Sequence, residues 1–282
     1  MIFCSIDWNP NPEIFKILEF PVRYYGLFFA MAFLAGFQVM TYIFKKEGRP
    51  IEQADQLLLY AMVATVVGAR MGHYFFYEFP LLQADPMRFF VQMITPPFSG
   101  LASHGAAVGL FSAFYLYVRK NPGQSYLYVT DRMVIVASLA GFFIRMGNLM
   151  NSEIIGKPTD LPWGFKFFRD YEFNPLGDPA MVMARHPSQL YEALSCLVIF
   201  TFLMWFWSLK KAKTQEGLMT GIFMVVLFGL RFFYEFLKEN QSDFENQMAY
   251  MLLSAKYPII AHLGAVIDRN NPILIPPPNT VI

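Results

Sequence analysis

Long apolar runs recur along this chain, and they constrain its fold more than any other feature. Several stretches of 18 or more residues are almost wholly apolar, which is the length that an α-helix needs to cross a bilayer. Only 15% of the 282 residues are charged, whereas a soluble domain averages about a quarter. Because hydrocarbon cannot hydrogen-bond to a bare backbone, we expect an all-α, polytopic integral membrane protein. The net charge of +1 gives no reason to expect a nucleic-acid partner.

Polar and proline-containing segments divide the chain into about seven expected transmembrane helices within one integral membrane domain, residues 1–282. Spans one to four fall within 24–150 and spans five to seven within 188–267. The expected spans are 24–44, 57–79, 101–118, 133–150, 188–209, 217–237 and 248–267. Residues 1–23 are expected to form an exposed arm, and 268–282 a tail. Segment 151–187 is too long for a tight turn and is expected to form a small cap.

Lysine and arginine residues predict how the spans are oriented. The short loops after spans one, three and five are basic, while the longer loops on the other side also contain several acids. The basic loop residues are Lys45, Lys46, Arg49, Arg119, Lys120, Lys210, Lys211 and Lys213. Positive loops face the cytoplasm, so we expect an extracytoplasmic N-terminus and cap and a cytoplasmic C-terminus.

In this orientation, the polar residues of different spans lie at one depth, near the outer leaflet. They are Tyr25, Arg70, His73, His104, Arg145, Asn148, Gln189, Glu192, Arg231 and Glu235. Structural ion pairs would be scattered through the bilayer, so this common depth predicts a shared polar cavity. Three arginines against two carboxylates leave a positive surplus, which suits the phosphate of a phospholipid head group.

The segment 141–156, GFFIRMGNLMNSEIIG, begins as an apolar helical stretch and then carries Arg145, Asn148, Asn151, Ser152 and Glu153. Arg145, Asn148 and Ser152 are spaced i, i+3 and i+7, so a helix through them places all three on one face. Gly156 and Pro158 are expected to end that helix. An arginine in a span is costly unless an anion meets it. The alternative to an anion site is an ion pair between helices.

Several of these residues also have a purely structural interpretation. Arg231 and Glu235 are spaced i, i+4, which also suits an ion pair between the two. For Arg70 the alternatives are a pair with Glu78 or a packing role, and for His73 a contact with Tyr74 or Tyr77. These alternatives stay open at the level of sequence.

His104 lies in a stretch of small residues, LASHGAAVG, at the outer end of span three. Small residues allow another helix or a lipid to approach the backbone closely. A histidine at the depth of the arginines is a candidate for proton transfer, the alternative being a cap on a tightly packed helix. No HExxH pattern or Cys/His spacing occurs, so we expect neither a metal site nor a cofactor.

Five motifs in the chain resemble those of the prolipoprotein diacylglyceryl transferase family, in the family's order. The segment 141–156 resembles GxxxRxGNxxNxExxG, and HGAAVG resembles HGGxxG. HPSQLYEA at 186–193, RFFYEF at 231–236 and RYYGLFF in span one complete the set. The resemblance implies transfer of a diacylglyceryl group from phosphatidylglycerol to the lipobox cysteine in the signal peptide of a prolipoprotein, with release of glycerol phosphate. It also implies the cytoplasmic (inner) membrane of a bacterium.

The resemblance carries roles onto residues that match its motifs. It implies functional roles for His104, Arg145 and Arg231. The chemistry of thiol attack makes His104 the candidate base for the thiol and the two arginines the candidates for stabilising the leaving phosphate. The expected substrate-binding residues are Tyr25, Arg70, Asn148, Asn151, Glu153, Gly156, Gln189 and Glu235. Glu153 and Glu235 are expected to hold the arginines in place.

The chain departs from the family at three positions. Ile144 and Ala106 replace glycines that many relatives carry, and Leu227 stands where some relatives have a tyrosine, so no role can be carried over for that tyrosine. An anion or lipid transporter with an arginine-lined outer site is the alternative function. It would need a polar path through the inner half of the spans, where spans one, three and five are nearly pure apolar.

Overall fold

The computed structural model describes residues 5–17, 20–95, 100–169 and 182–238. Every described helix and strand lies within residues 1–237, which form one compact unit. The helices are α1 Tyr24–Lys46, α2 Ile51–Tyr77, α3 Phe79–Ala84, α4 Pro86–Ile94, α5 Ser103–Lys120, α6 Tyr126–Asn151, α7 Ser188–Lys210 and α8 Leu218–Glu235. The described part of the chain is therefore mostly helical.

Within the described residues, four helices are long and apolar enough to cross a membrane: Tyr24–Lys46, Tyr126–Asn151, Ser188–Lys213 and Leu218–Glu235. They coincide with expected spans one, four, five and six. Spans two and three correspond to α2 and α5, which are not among these four. The expected seventh span, 248–267, lies outside the described residues. A helical membrane protein is thus supported, while the number of spans stays a prediction.

Helix α6 lies at the centre of the helical packing, against α1 on one side and α7 on another. The apolar core between them includes Ile43 and Phe44 of α1, Ile135 of α6, and Leu203 and Trp207 of α7. Because α6 is held by neighbours along its length, the polar residues at its C-terminal end have a rigid support.

Helices α2 and α5 form a second pair, in which glycines allow the backbones to touch. A Cβ on Gly105 would overlap the carbonyl oxygen of Gly68 and the Cα of Gly72. A Cβ on Gly109 would come within 2.5 Å of the Ala64 carbonyl oxygen. The small residues beside His104 therefore serve approach by another helix, as expected from the sequence.

Short strands add a β component that the expected all-α class did not contain. Strand β1 (Ile6–Trp8) pairs in parallel with β4 (Phe165–Phe167), and β2 (Glu13–Ile17) pairs with β3 (Phe20–Arg23). Trp8 Nε1 donates to the carbonyl oxygen of Leu149, 2.9 Å away, at the end of α6. The arm and part of segment 151–187 thus fold together onto the end of α6. Partners about 160 residues apart cannot be read from local patterns.

A buried ion pair joins the C-terminal end of α1 to the N-terminal part of α6. It was not predicted from the sequence. Arg132 Nη2 lies 2.8 Å from Glu47 Oε1, and both side chains are almost fully buried. Tyr128 and Trp207 donate to the same carboxylate, at 2.5 and 2.7 Å. This cluster, Glu47, Tyr128, Arg132 and Trp207, joins α1, α6 and α7 beside the basic loops.

Candidate active site

The turn that follows α6 brings its polar residues together. Helix α6 ends at Asn151, and Ser152 adopts a left-handed conformation with φ 55° and ψ 38°. The helix therefore ends earlier than Gly156 and Pro158 suggested, and Ser152 lies just beyond the shared face on which the sequence placed it. Because the chain reverses there, Glu153 faces back toward the last turn of the helix.

Arg145 is held by a carboxylate from the next helix. Its Nε lies 2.7 Å from Glu192 Oε2 of α7, and its Nη1 lies 3.5 Å from Asn148 Oδ1. Both charged side chains are largely buried, 19% exposed for Arg145 and 10% for Glu192. From the sequence, Glu192 was expected at this depth but was not included among the site residues. Its position in the HPSQLYEA motif could have identified it as one.

Glu153 organises the two asparagines rather than the arginine. Asn148 Nδ2 donates to Glu153 Oε2 at 3.2 Å, and Asn151 Nδ2 donates to Oε1 at 3.1 Å. Its backbone carbonyl accepts from Gln189 Nε2 at 2.5 Å. The turn that follows α6 is thereby fixed to the first turn of α7. From the sequence, Glu153 was expected to hold an arginine in place. In the structure, Glu192 is the carboxylate that contacts Arg145.

Tyr25, at the start of α1, completes this group. A Cβ on Gly147 would come within 2.9 Å of Tyr25 Cδ2, so the tyrosine ring packs directly on the α6 backbone. Five predicted site residues therefore converge with Arg145 on one end of α6: Tyr25, Asn148, Asn151, Glu153 and Gln189.

Gly156 lies at a crowded backbone junction. Its N–H donates to the His186 carbonyl at 2.9 Å. A Cβ there would lie 2.6 Å from that same oxygen and 2.7 Å from the Leu237 carbonyl oxygen, so the position requires glycine. Burial lowers the pKa of His186, whose Nδ1 lies 3.3 Å from the Tyr191 hydroxyl. A binding role for Gly156 stays a prediction beside this close packing.

Arg70 is engaged by backbone carbonyls. Its Nη2 donates to the Gln92 carbonyl at 2.7 Å and its Nε to the Met93 carbonyl at 3.0 Å, and its guanidinium lies over the Tyr74 ring. These carbonyls belong to the last turn of α4, where a cation is favourable. These contacts agree with the packing role that was one alternative for Arg70 from the sequence. A substrate-binding role for Arg70 stays a prediction.

His104 lies on the exposed side of α5, against aromatic rings of α2. Its ring centroid is 4.6 Å from that of Phe76 and 5.9 Å from that of Tyr77. His73 packs against Tyr74 and Tyr77, which agrees with the structural interpretation of that histidine. Within the described ranges, no hydrogen bond or ion pair joins His104 to Arg145, and a shared catalytic role for the two stays a prediction.

Arg231 and Glu235 are exposed on α8. Among the described residues they form no ion pair with each other, so the i, i+4 pair considered from the sequence is absent there. Nor does any described contact join Arg231 to Arg145. Tyr234 of α8 does make a described hydrogen bond to α7, through its hydroxyl and that of Ser195. The expected role of Glu235 in holding an arginine therefore has no counterpart in the described part of the chain.

Comparison with known proteins assigns a family to this arrangement. The family model described as prolipoprotein diacylglyceryl transferase matches residues 12–267. The chain belongs to this family. A phosphatidylglycerol–prolipoprotein diacylglyceryl transferase of Chloroherpeton thalassium is 40% identical, over 86% of this chain and 85% of the relative.

Two further relatives carry the same name. That of Tolumonas auensis is 40% identical, covering 84% of this chain and 86% of its own length. That of Bacteroides fragilis is 37% identical, covering 88% of each. Family membership therefore extends over nearly the whole chain, including the α6 turn and the start of α7.

Proposed function

We propose that this chain transfers the diacylglyceryl group of phosphatidylglycerol to the cysteine thiol in the lipobox of a prolipoprotein signal peptide. The sulfur forms a bond to the carbon of the diacylglyceryl group that carries the phosphate ester. The carbon–oxygen bond to the phosphate breaks, glycerol phosphate leaves, and the thiol proton passes to a base. The names of the relatives and the family match support this reaction; none of them names a transporter.

The observation that carries the proposal is the fixed orientation of Arg145. Glu192 engages Nε and Asn148 engages Nη1, while Nη2 has no partner among the described residues. A guanidinium held in this way can present its remaining N–H groups to two phosphate oxygens. As the ester oxygen leaves, it gains negative charge, which a positioned arginine in a site of low dielectric constant stabilises.

His104 and Arg231 are proposed to complete the reaction from neighbouring helices. His104 is the candidate acceptor of the thiol proton, because a base raises the fraction of reactive thiolate. Arg231 is the candidate second cation for the leaving phosphate. Their exposure on α5 and α8 supports a substrate that approaches from the membrane side of the helices. Arg70 and Gly156 are proposed to shape the same site through the backbone that they hold.

We further propose seven spans in the inner membrane of a bacterium, with the N-terminus and the 151–187 cap outside. Tyr25 of α1 meets Gly147 of α6, whereas Glu47 and Arg132 meet at the other ends, so the two helices are antiparallel. The site therefore lies at the end away from Lys45 and Lys46. The basic loops support this orientation, and the bacterial relatives support the choice of a bacterial membrane.

The decisive experiment is lipidation by the purified protein in phosphatidylglycerol vesicles. A peptide with a lipobox cysteine should gain the mass of one diacylglyceryl group, and the same peptide with serine at that position should not. Arg145→Lys keeps the charge but loses the forked geometry, so turnover should fall by about a hundredfold or more while membrane insertion persists. Absence of transfer by the unmodified protein would refute the proposed function.

A further inference from the structure

Three buried oxygen atoms at the junction of α6 and α7 have no hydrogen-bond partner among the described residues: Asn151 Oδ1, Ser152 Oγ and Gln189 Oε1. Gln189 is fully buried, and Ser152 is 7% exposed. Nearly all buried polar atoms in proteins are hydrogen-bonded, because leaving one unpaired is costly. The clustering of these atoms around one turn indicates a place where a ligand donates hydrogen bonds.

The orientation of the two amides is set by Glu153. Asn151 donates its amide N–H to Glu153 Oε1, and Gln189 donates its own to the Glu153 carbonyl oxygen. Because both bonds require the NH₂ group to face Glu153, the carbonyl oxygen of each amide must point elsewhere. Asn151 and Gln189 therefore each offer one acceptor, and Ser152 adds a hydroxyl.

These acceptors select the chemistry of the ligand. Two amide oxygens cannot bind phosphate oxygens, which only accept hydrogen bonds, and the Glu153 carboxylate beside them repels an anion. The ligand group must be a donor without negative charge, such as a hydroxyl. Resting on the proposed function, the donor lipid supplies such a group, since the glycerol head group of phosphatidylglycerol carries two free hydroxyls.

The position relative to Arg145 agrees with this assignment. Arg145 contacts Asn148, Asn148 contacts Glu153, and Glu153 contacts Asn151. A phosphate at Arg145 would therefore have its attached glycerol beside the acceptors. We infer that Asn151, Ser152 and Gln189 form a subsite for the head-group hydroxyls, which selects a polyol head group and orients glycerol phosphate as the leaving group.

The first test removes the hydroxyls from the lipid. Phosphatidylethanol carries the same diacylglyceryl phosphate but no head-group hydroxyl. With the purified protein in vesicles, kcat/KM for lipidation should be about ten- to a hundredfold lower with phosphatidylethanol than with phosphatidylglycerol, because buried acceptors stay unpaired. Equal values for the two lipids would overturn the subsite and leave the proposed transfer intact. Absence of transfer from either lipid would instead refute the function itself.

The second test removes one acceptor from the protein. Ser152→Ala breaks none of the described side-chain hydrogen bonds. It should lower kcat/KM about three- to tenfold with phosphatidylglycerol and leave the value with phosphatidylethanol unchanged. The matched control is Ser138→Ala within α6, whose hydroxyl donates to its own helix at the Val134 carbonyl; it should leave the preference between the lipids unchanged.

Two results of the second test would overturn the inference. An equal loss with both lipids would show that Ser152 acts on the fold or on another step. A raised KM for the lipobox peptide, with the lipid preference unchanged, would show that backbone N–H groups of the peptide meet these acceptors instead.

Discussion

At the scale of single residues, the role proposed for Arg145 depends on how its guanidinium is oriented. Glu192 contributes the shortest contact to it, 2.7 Å, from a different helix. A buried arginine without this carboxylate keeps its charge but loses the bond that fixes its Nε edge. The geometry thus assigns to Glu192 a positioning role that acts through Arg145.

We therefore expect Glu192→Gln to lower kcat for lipidation by about ten- to a hundredfold, since a neutral amide holds the guanidinium more weakly. The KM for the lipobox peptide should change little, and Glu192→Asp should restore part of the rate. Glu216→Gln is the control, because Glu216 bonds only Ser125 among the described residues. A Glu192→Gln enzyme with normal turnover would show that the ion pair is structural.

The second residue-scale prediction concerns His104. If it accepts the thiol proton, His104→Asn should lose about a hundred- to ten-thousand-fold in rate at neutral pH. The variant should regain much of this rate as the pH rises toward the pKa of a free thiol, about 8.5. Rate against pH for both proteins measures this. A profile that keeps its shape and falls only in height would make His104 a binding residue.

At the scale of elements, hydropathy predicted where the long helices lie but not which strands and side chains pair with each other. Helix α1 and the start of α7 agree closely with expected spans one and five, because the length of an apolar run is a local signal. The strands β1 and β4 could not be predicted, since each is three residues long and its partner is remote in sequence. For the same reason, the pairing of Glu47 with Arg132 was not visible.

The site follows the same rule. Arg145, Asn148, Asn151 and Glu153 share one short segment, so the sequence placed them together correctly. Glu192 as the partner of Arg145 depends on how α7 packs against α6, which no local pattern contains.

The element-scale prediction tests the buried pair that joins α1 to α6. Glu47→Ala leaves Arg132 buried without its carboxylate, and breaking such a pair costs about 3–5 kcal/mol. Thermal unfolding in detergent should show a clearly lower midpoint, and the folded protein should have a shorter lifetime at a fixed temperature. Glu52→Ala, at an exposed position near the start of α2, is the control and should leave the midpoint unchanged. An unchanged midpoint for Glu47→Ala would mean that Arg132 finds another partner.

At the scale of the whole molecule, the two ends of the helices differ in chemistry. One end carries Arg145, Tyr25 and the strands of the arm, and the other carries the buried pair and the basic residues that follow α1, α5 and α7. The antiparallel packing of α1 and α6 fixes which residues lie at the same end of the helices. The side of the membrane on which one loop lies therefore determines the side on which the site lies. Basic loops remain on the cytoplasmic side, so the site should open outward.

Cysteine labelling in bacterial spheroplasts tests this orientation. In a background without Cys4 and Cys196, a single cysteine replaces Asp160 in the cap segment or Lys213 after α7, both at exposed positions. A membrane-impermeant thiol reagent should label Asp160→Cys in intact spheroplasts and Lys213→Cys only after lysis, which also serves as the control for reactivity. The reverse pattern would invert the topology. It would place Arg145 near the inner leaflet, and phosphatidylglycerol would then have to reach the site from the cytoplasmic side.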